Sequence, residues 1–370
     1  MPANATLPDL QRILDQAAGY DPAATRITIS PGLAGWMLDH RTSLAFTSYQ
    51  TGQLILAGVD PQGRVAFDEQ NYARATGLCF AEGALHVGSL FQLWRLENML
   101  QPGQYANGAH DAVFVPRAAA TVNYVDTHEI DVDADGRVLF VNTRYSCIAT
   151  ADARWSFRPL WKPAFVSELV AEDRCHLNGF ALVDGRPAFA TAAGISDRKG
   201  EWRASRTGGG VLIDIARDAI VTDRLSMPHS PRWHDGAIWL LDSGRGQLVR
   251  IDPASGAITP VASCPGFLRG LAFHGGHAVV TVSRTRESSA RDLTQQTDFE
   301  RSGTPSQCGV LIIELASGRI VESILFDGRI TEMFAVAVLP GIRNPISLGP
   351  QTVDMIGTVA FDPAWTPHRW

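Results

Sequence analysis

The sequence predicts an all-β chain folded as a six-bladed β-propeller, and three observations predict it. A unit of two short apolar strands joined by a glycine turn recurs five times. The intervals between copies are those of a four-stranded blade, roughly 40–50 residues. A sixth first strand near the C-terminus has no following partner, while three strands near the N-terminus have no first strand.

The five copies are ATGLCFAEGALHVGS from Ala75, THEIDVDADGRVLFVNT from Thr127, LNGFALVDGRPAFATA from Leu177, HSPRWHDGAIWLLDS from His229 and RGLAFHGGHAVVTVS from Arg269. We number these blades one to five. Aligned on the turn glycine they place Thr76, His128, Asn178, His229 and Arg269 at one position. EMFAVAVLP adds Glu332, giving intervals of 52, 50, 51, 40 and 63 residues. Third and fourth strands follow, as in GGVLIDI with DAIVTDRL and GQLVRID with AITPVAS. The longest interval contains RTRESSARDLTQQTDFERSGTPSQ, expected as a loop within blade five and, over 285–307, as a lid. Blade six joins LAFTSYQ, QLILAGVD and GRVAFDE to the strand after Glu332, a closure that removes exposed sheet edges. A seventh blade, with SPGLAGWMLD as an extra first strand, is the alternative. The domain reading is a helical extension over 1–27, the propeller over 28–340, and a tail over 341–370 packed on it.

Composition narrows the function classes. The 370 residues are 45% hydrophobic and 19% charged with net charge −6, and no basic run offers a nucleic-acid footprint. Five widely spaced cysteines without a CxxC motif argue against a disulfide scaffold or a thiolate zinc site, and fit the reducing cytoplasm. The N-terminus reads as an amphipathic helix, not a signal peptide, and no apolar stretch approaches the roughly 20 residues that span a bilayer. The glycine run Gly208–Gly210 leads into a strand, so no nucleotide cofactor is expected.

In a propeller the first strands line the central channel, so the aligned position forms a ring: Thr76, His128, Asn178, His229, Arg269 and Glu332. His128, His229 and Glu332 fall on alternate blades, a layout that converges three side chains on one axis. Two imidazoles and a carboxylate are a first shell for a divalent transition metal such as Zn, Fe or Cu. His176, two residues before Asn178, is a further candidate ligand. Arg269 is expected to hold an anionic group of the substrate, with Glu129 and Tyr145 as further catalytic candidates and Arg74, Thr76, Asn178 and Arg144 as substrate contacts. The dipeptide His128–Glu129 is expected to send its side chains to opposite faces. Two other readings stand beside the metal: a metal-free ring of substrate-binding histidines, and plain polar lining of a wet channel. An Arg269–Glu332 pair would favour the last. His274, His277 and His234 lie in turns and read as surface residues, and His40 and His110 lie beside loops and carry no pattern.

The strings SPGLAGWMLDHRTSLAFTSYQTGQL, HLNGF, MPHSPRW, LRGLAF and TEMFAVAVLPG resemble a bacterial family of conserved hypothetical proteins, some linked to tetratricopeptide repeats, over about residues 30–350. The resemblance implies a propeller of unassigned activity and suggests a tetratricopeptide-repeat partner. More distantly the architecture is similar to six-bladed lactonases and gluconolactonases, whose axial calcium has acidic and Asn ligands; histidines here depart from that set. A propeller lyase with histidine-bound zinc is the nearer chemical analogy. These readings leave an enzyme acting on a small molecule or peptide in the channel, or a non-catalytic propeller scaffold that binds a peptide or protein.

Overall fold

The computed structural model describes residues 25–284, 305–350 and 352–361. Six sheets are arranged as a six-bladed propeller. The inner strands of blades one to five are Leu78–Ala81, Thr127–Val132, Leu177–Val183, Pro228–His234 and Phe267–His274. Each is followed outward by three antiparallel strands. Blade six takes its inner strand, Val336–Pro340, from the C-terminal region and pairs it with Thr42–Ser48, Gln53–Val59 and Val65–Asn71. The closure expected from the unmatched strands is therefore the closure observed.

Both flanks of the closing blade are reinforced. Thr25–Ile29 adds a fifth, antiparallel strand to the rim of blade five. Residues 25–27, placed by the sequence in a helical extension, are thus strand; the rest of that extension lies outside the described residues. Pro345–Ser347 adds a parallel strand to the rim of blade one. The tail reaches it across Gly58, where a Cβ would stand 2.5 Å from the Arg343 carbonyl oxygen.

The seventh-blade alternative does not hold. Leu33–Asp39 is a helix, with Leu33, Trp36 and Met37 buried at i, i+3 and i+4. A short apolar run cannot by itself distinguish strand from helix; the spacing of its largest side chains decides. The lid expected over 285–307 lies mostly outside the described residues.

The core is divided by blade. Six apolar clusters each fill the space between adjacent sheets, such as Leu139, Val141 and Ile148 of blade two against Leu177, Phe180 and Ala190 of blade three. Near the axis, polar latches repeat the same job. Thr143 Oγ1 donates to Leu177 O at 2.7 Å, Asn178 Nδ2 to Pro228 O at 2.9 Å and Ser230 Oγ to Arg269 O at 2.8 Å. Thr281 Oγ1 donates to Phe334 O and Thr47 Oγ1 to Thr76 O, both at 2.6 Å. Five of the six junctions thus carry a side chain satisfying a backbone carbonyl in, or just before, the next inner strand, a buried acceptor that would otherwise be costly.

Candidate functional site at the channel entrance

The inner strands are irregular where they meet the axis. In blades two to five the pairing with the second strand slips at Thr127–Ile130, Leu177–Gly179, His229–Arg232 and Leu268–Leu271. Such bulges insert an extra residue and re-aim side chains, and they concentrate near functional sites. On blades one to four, Arg74, Asp126, His176 and Met227 adopt φ of 54°, 55°, 51° and 50°. Each lies two residues before the ring position of its blade. None is glycine, so four consecutive blades hold the same uncommon left-handed conformation at the channel entrance.

These two devices gather three imidazoles from blades two, three and four. The His128 ring is 5.0 Å from His176 and 6.2 Å from His229. Their tautomers follow from their partners. His128 Nδ1 lies 3.0 Å from Asp126 O and 2.8 Å from Thr143 Oγ1, whose own proton goes to Leu177 O. Nδ1 must therefore carry the hydrogen, leaving Nε2 a lone pair. His229 repeats this, with Nδ1 2.8 Å from Met227 O and 3.0 Å from Ser243 Oγ. Its Nε2 faces Arg269 Nη1 at 3.4 Å. His176 Nδ1 sits 3.0 Å from both oxygens of Asp173. Trp202 stacks on the His176 ring at 4.1 Å and donates to Asp173 at 3.1 Å.

Charge at the entrance is held apart. Burial pushes the His128 pKa down to about 3, helped by His176 and Arg269 and opposed by Asp126. Burial lowers His229 well below the usual imidazole range, and Arg269 adds to this. Both rings are neutral at physiological pH. Asp126 is pushed up by burial but held to about 2 by Arg74, His128, His176 and Arg269. Arg74 pairs with it at 2.8 Å and with the Tyr124 hydroxyl at 3.1 Å. The Arg269 guanidinium lies among three aromatic faces: Phe267 at 4.9 Å, Phe334 at 5.3 Å and Tyr49 at 5.5 Å.

One ring position changes occupant, and several of the other expected site residues take different places. On blade six the ring position belongs to Phe334, not Glu332. The Thr281 latch ends on Phe334 O as the Thr47 latch ends on Thr76 O, and the Phe334 ring lies 5.3 Å from His128. Gly341, with φ of 77°, follows the inner strand of blade six and stands as far beyond Phe334 as Gly83 stands beyond Thr76, so the turn itself assigns Phe334 to the ring; a two-residue slip leaves the side-chain alternation unchanged. Glu332 is buried, and that burial raises its carboxyl pKa to about 8. Glu129 does not face away from the axis. It passes Gly179 of blade three, whose added Cβ would stand 3.4 Å from its Oε2, and binds Arg232 at 2.8 Å and Ser230 at 3.1 Å on blade four. Tyr145 packs on Phe157 in an apolar cluster rather than on the imidazoles. Asn178 commits its Nδ2 to its latch and keeps Oδ1 unpartnered among the described residues, as buried Thr76 does its hydroxyl. Arg144 does reach the entrance, 5.0 Å over the Tyr124 ring.

Sequence reasoning missed Asp126, Asp173, Tyr124, Trp202 and Phe334. The repeated left-handed position would have pointed to Asp126, had the alignment extended two residues upstream. The partners of His176 come from loops outside the repeat. As positioned, no three His, Cys, Asp or Glu side chains among the described residues form a group that could hold a metal.

No curated protein matches this chain. Among solved structures, a chain of the nidogen/laminin complex superposes with a TM-score of 0.52 at 13% identity, covering 81% of this chain and 99% of that one. Virginiamycin B lyase from Staphylococcus aureus gives 0.42 at 12% identity, covering 85% and 93%. A catalytically inactive form of that lyase with quinupristin gives 0.41 at 10%, covering 82% and 99%. At these identities the likeness concerns the fold alone. Residues 31–348 match one family of sequences, and the chain belongs to it: the family described as Domain of unknown function (DUF4915).

Proposed function

We propose that the protein is an acid–base enzyme acting at the channel entrance on a small anionic molecule or peptide. The observation that carries the reading is the His176–Asp173 pair. A carboxylate that fixes Nδ1–H leaves Nε2 as the base and stabilises the imidazolium that forms. His176 is only partly covered, with its side chain 13% exposed, so a ligand in the entrance can reach it. Neutral His128 and His229 flank it without competing for the proton, and Arg269 supplies the positive charge for a substrate anion or a developing one.

A divalent metal on His128, His176 and His229 is the second form of this proposal. A donor N–H anchored on a carbonyl or carboxylate, with the other nitrogen left as a lone pair, is the usual arrangement of metal-bound histidine. Convergence of those nitrogens, with or without Glu332, would require the rings to turn. A cytoplasmic setting suits both forms.

The test is a thermal-shift screen of carboxylated small molecules and short peptides on tag-free protein, followed by turnover assays on the hits. Ligands should stabilise the wild type and not Arg269→Ala, and His176→Gln should bind but lose about 10²–10⁴-fold in turnover. Metal analysis of the same preparation separates the two forms. Ligands that bind Arg269→Ala and His176→Gln as well as the wild type would defeat the proposal. So would a stable protein partner, found by pull-down, that ignores both substitutions; that outcome is the scaffold reading.

A further inference from the structure

His128 and His229 are built alike and completed differently. Each sets Nδ1 on the carbonyl oxygen two residues upstream, Asp126 O at 3.0 Å and Met227 O at 2.8 Å. Each also meets a hydroxyl from the 3₁₀ turn after its blade's second strand, Thr143 at 2.8 Å and Ser243 at 3.0 Å. The two rings lie nearly parallel, 26° apart. Both therefore present an Nε2 lone pair. His229 Nε2 is met at 3.4 Å by the guanidinium of Arg269, the ring residue of the next blade. His128 Nε2 is met by no donor among the described residues.

The difference lies in Asn178, the ring residue of the blade after His128. Its Nδ2 serves the latch to Pro228 O at 2.9 Å. Its Oδ1 is a second acceptor, unpartnered among the described residues. His176, edge-on to His128 at 5.0 Å, adds a third, because Asp173 holds its Nδ1–H and leaves Nε2 a lone pair. Asn178 and His128 are only 2% and 7% exposed, so bulk water has little access to the first two acceptors. Buried acceptors without donors are costly, and a bound group that supplies hydrogens removes the cost. Blade five, with Arg269, stands opposite blade two in the ring, so cation and acceptors sit on opposite sides of the entrance.

We infer that the entrance takes an aminocarboxylate, either an amino acid or a short peptide with both ends free. Its ammonium stands to His128 as Arg269 stands to His229. The inference rests on the reading of Arg269 as the holder of the substrate anion, and it names the substrate class. An ammonium brings three N–H donors, whereas a second carboxylate or a phosphate would set acceptor against acceptor. Burial keeps His128 neutral, so its ring accepts from the ammonium instead of repelling it.

The test is calorimetric titration of the full chain, tag-free, with L-amino acids, with dipeptides, and with the deaminated and C-terminally amidated analogue of each. The best aminocarboxylate should bind about 10–100-fold more tightly than its deaminated analogue. Whether that binder is an amino acid or a dipeptide decides between the two sources. His128→Phe and Asn178→Ala, each checked for a native circular dichroism spectrum, should cut the ratio by about fivefold or more. The same variants should leave the affinity of the deaminated analogue nearly unchanged. The inference is overturned if carboxylates bind through Arg269 with no gain from the amino group, the result expected if these acceptors hold only water. It is equally overturned if the gain persists in both variants, and in either case the reading of Arg269 stands. If no carboxylate binds, or if all bind Arg269→Ala as well as the wild type, both readings fall.

Discussion

His128 and Glu129 are neighbours in sequence and enter the channel from one bulge, yet they end in opposite circumstances. Glu129 is 3% exposed and closes on Arg232 and Ser230, a layer that satisfies itself. His128 sits one residue nearer the entrance, neutral, with one nitrogen anchored and the other uncommitted among the described residues. The deeper layer is a polar channel lining with its partners matched, whereas the upper layer keeps an imidazole nitrogen uncommitted among the described residues. Polarity alone does not mark a site; leftover bonding capacity on an ordered frame does.

Breaking the deeper layer should cost most. Glu129→Ala leaves the largely covered Arg232 without its carboxylate and should lose about 3–5 kcal/mol of stability by denaturant unfolding. A double replacement of Glu129 and Arg232 by apolar residues should recover most of that loss. If the single variant unfolds like the wild type, the two layers do not differ as described. The latches come next. Thr281→Val orphans both Phe334 O and Gly270 N, which it bonds at 2.6 and 2.7 Å, and should cost about 1–3 kcal/mol.

The upper layer should announce itself in pH dependence. His128, held at about 3 in the folded state against an ordinary 6.5, lets the unfolded chain bind more protons between those values. Stability should fall as pH drops from 6.5 towards 3, and His128→Phe should flatten that limb in thermal melts. Glu332 acts with the opposite sign. Its pKa of about 8 against 4.5 means the folded state keeps a proton the unfolded chain releases, so stability is lost as pH rises through 4.5 to 8. Glu332→Gln should flatten that side. The smallest effect is expected at Thr76→Val, which removes an unpartnered hydroxyl and should leave the unfolding midpoint nearly unchanged.

The fold was legible because its determinants are local and repeated. Glycine turns set the register of blades one to five, and two sets of unmatched strands implied their own pairing. The site was legible only as far as that register reached. His128, His229, His176 and Arg269 were found through it, and all four meet. Glu332 was misplaced by two residues although Gly341 closes the strand as the other turn glycines do; counted back from that glycine the ring residue is Phe334. Asp173 and Trp202 escaped because loop residues carry no period. Glu129 was misjudged because alternation assumes a regular strand, and a bulge suspends it.

The closing pair of strands also has a history in time. Thr42–Ser48 is made early, but Val336–Pro340, which covers its inner edge, leaves the ribosome roughly 300 residues later. At synthesis rates of about 5–20 residues per second that edge waits about 15–60 s for its partner. During that interval the nascent chain carries a nearly complete wheel with one open, apolar spoke. A chaperone or a second nascent chain would find it there, and nowhere on the finished protein.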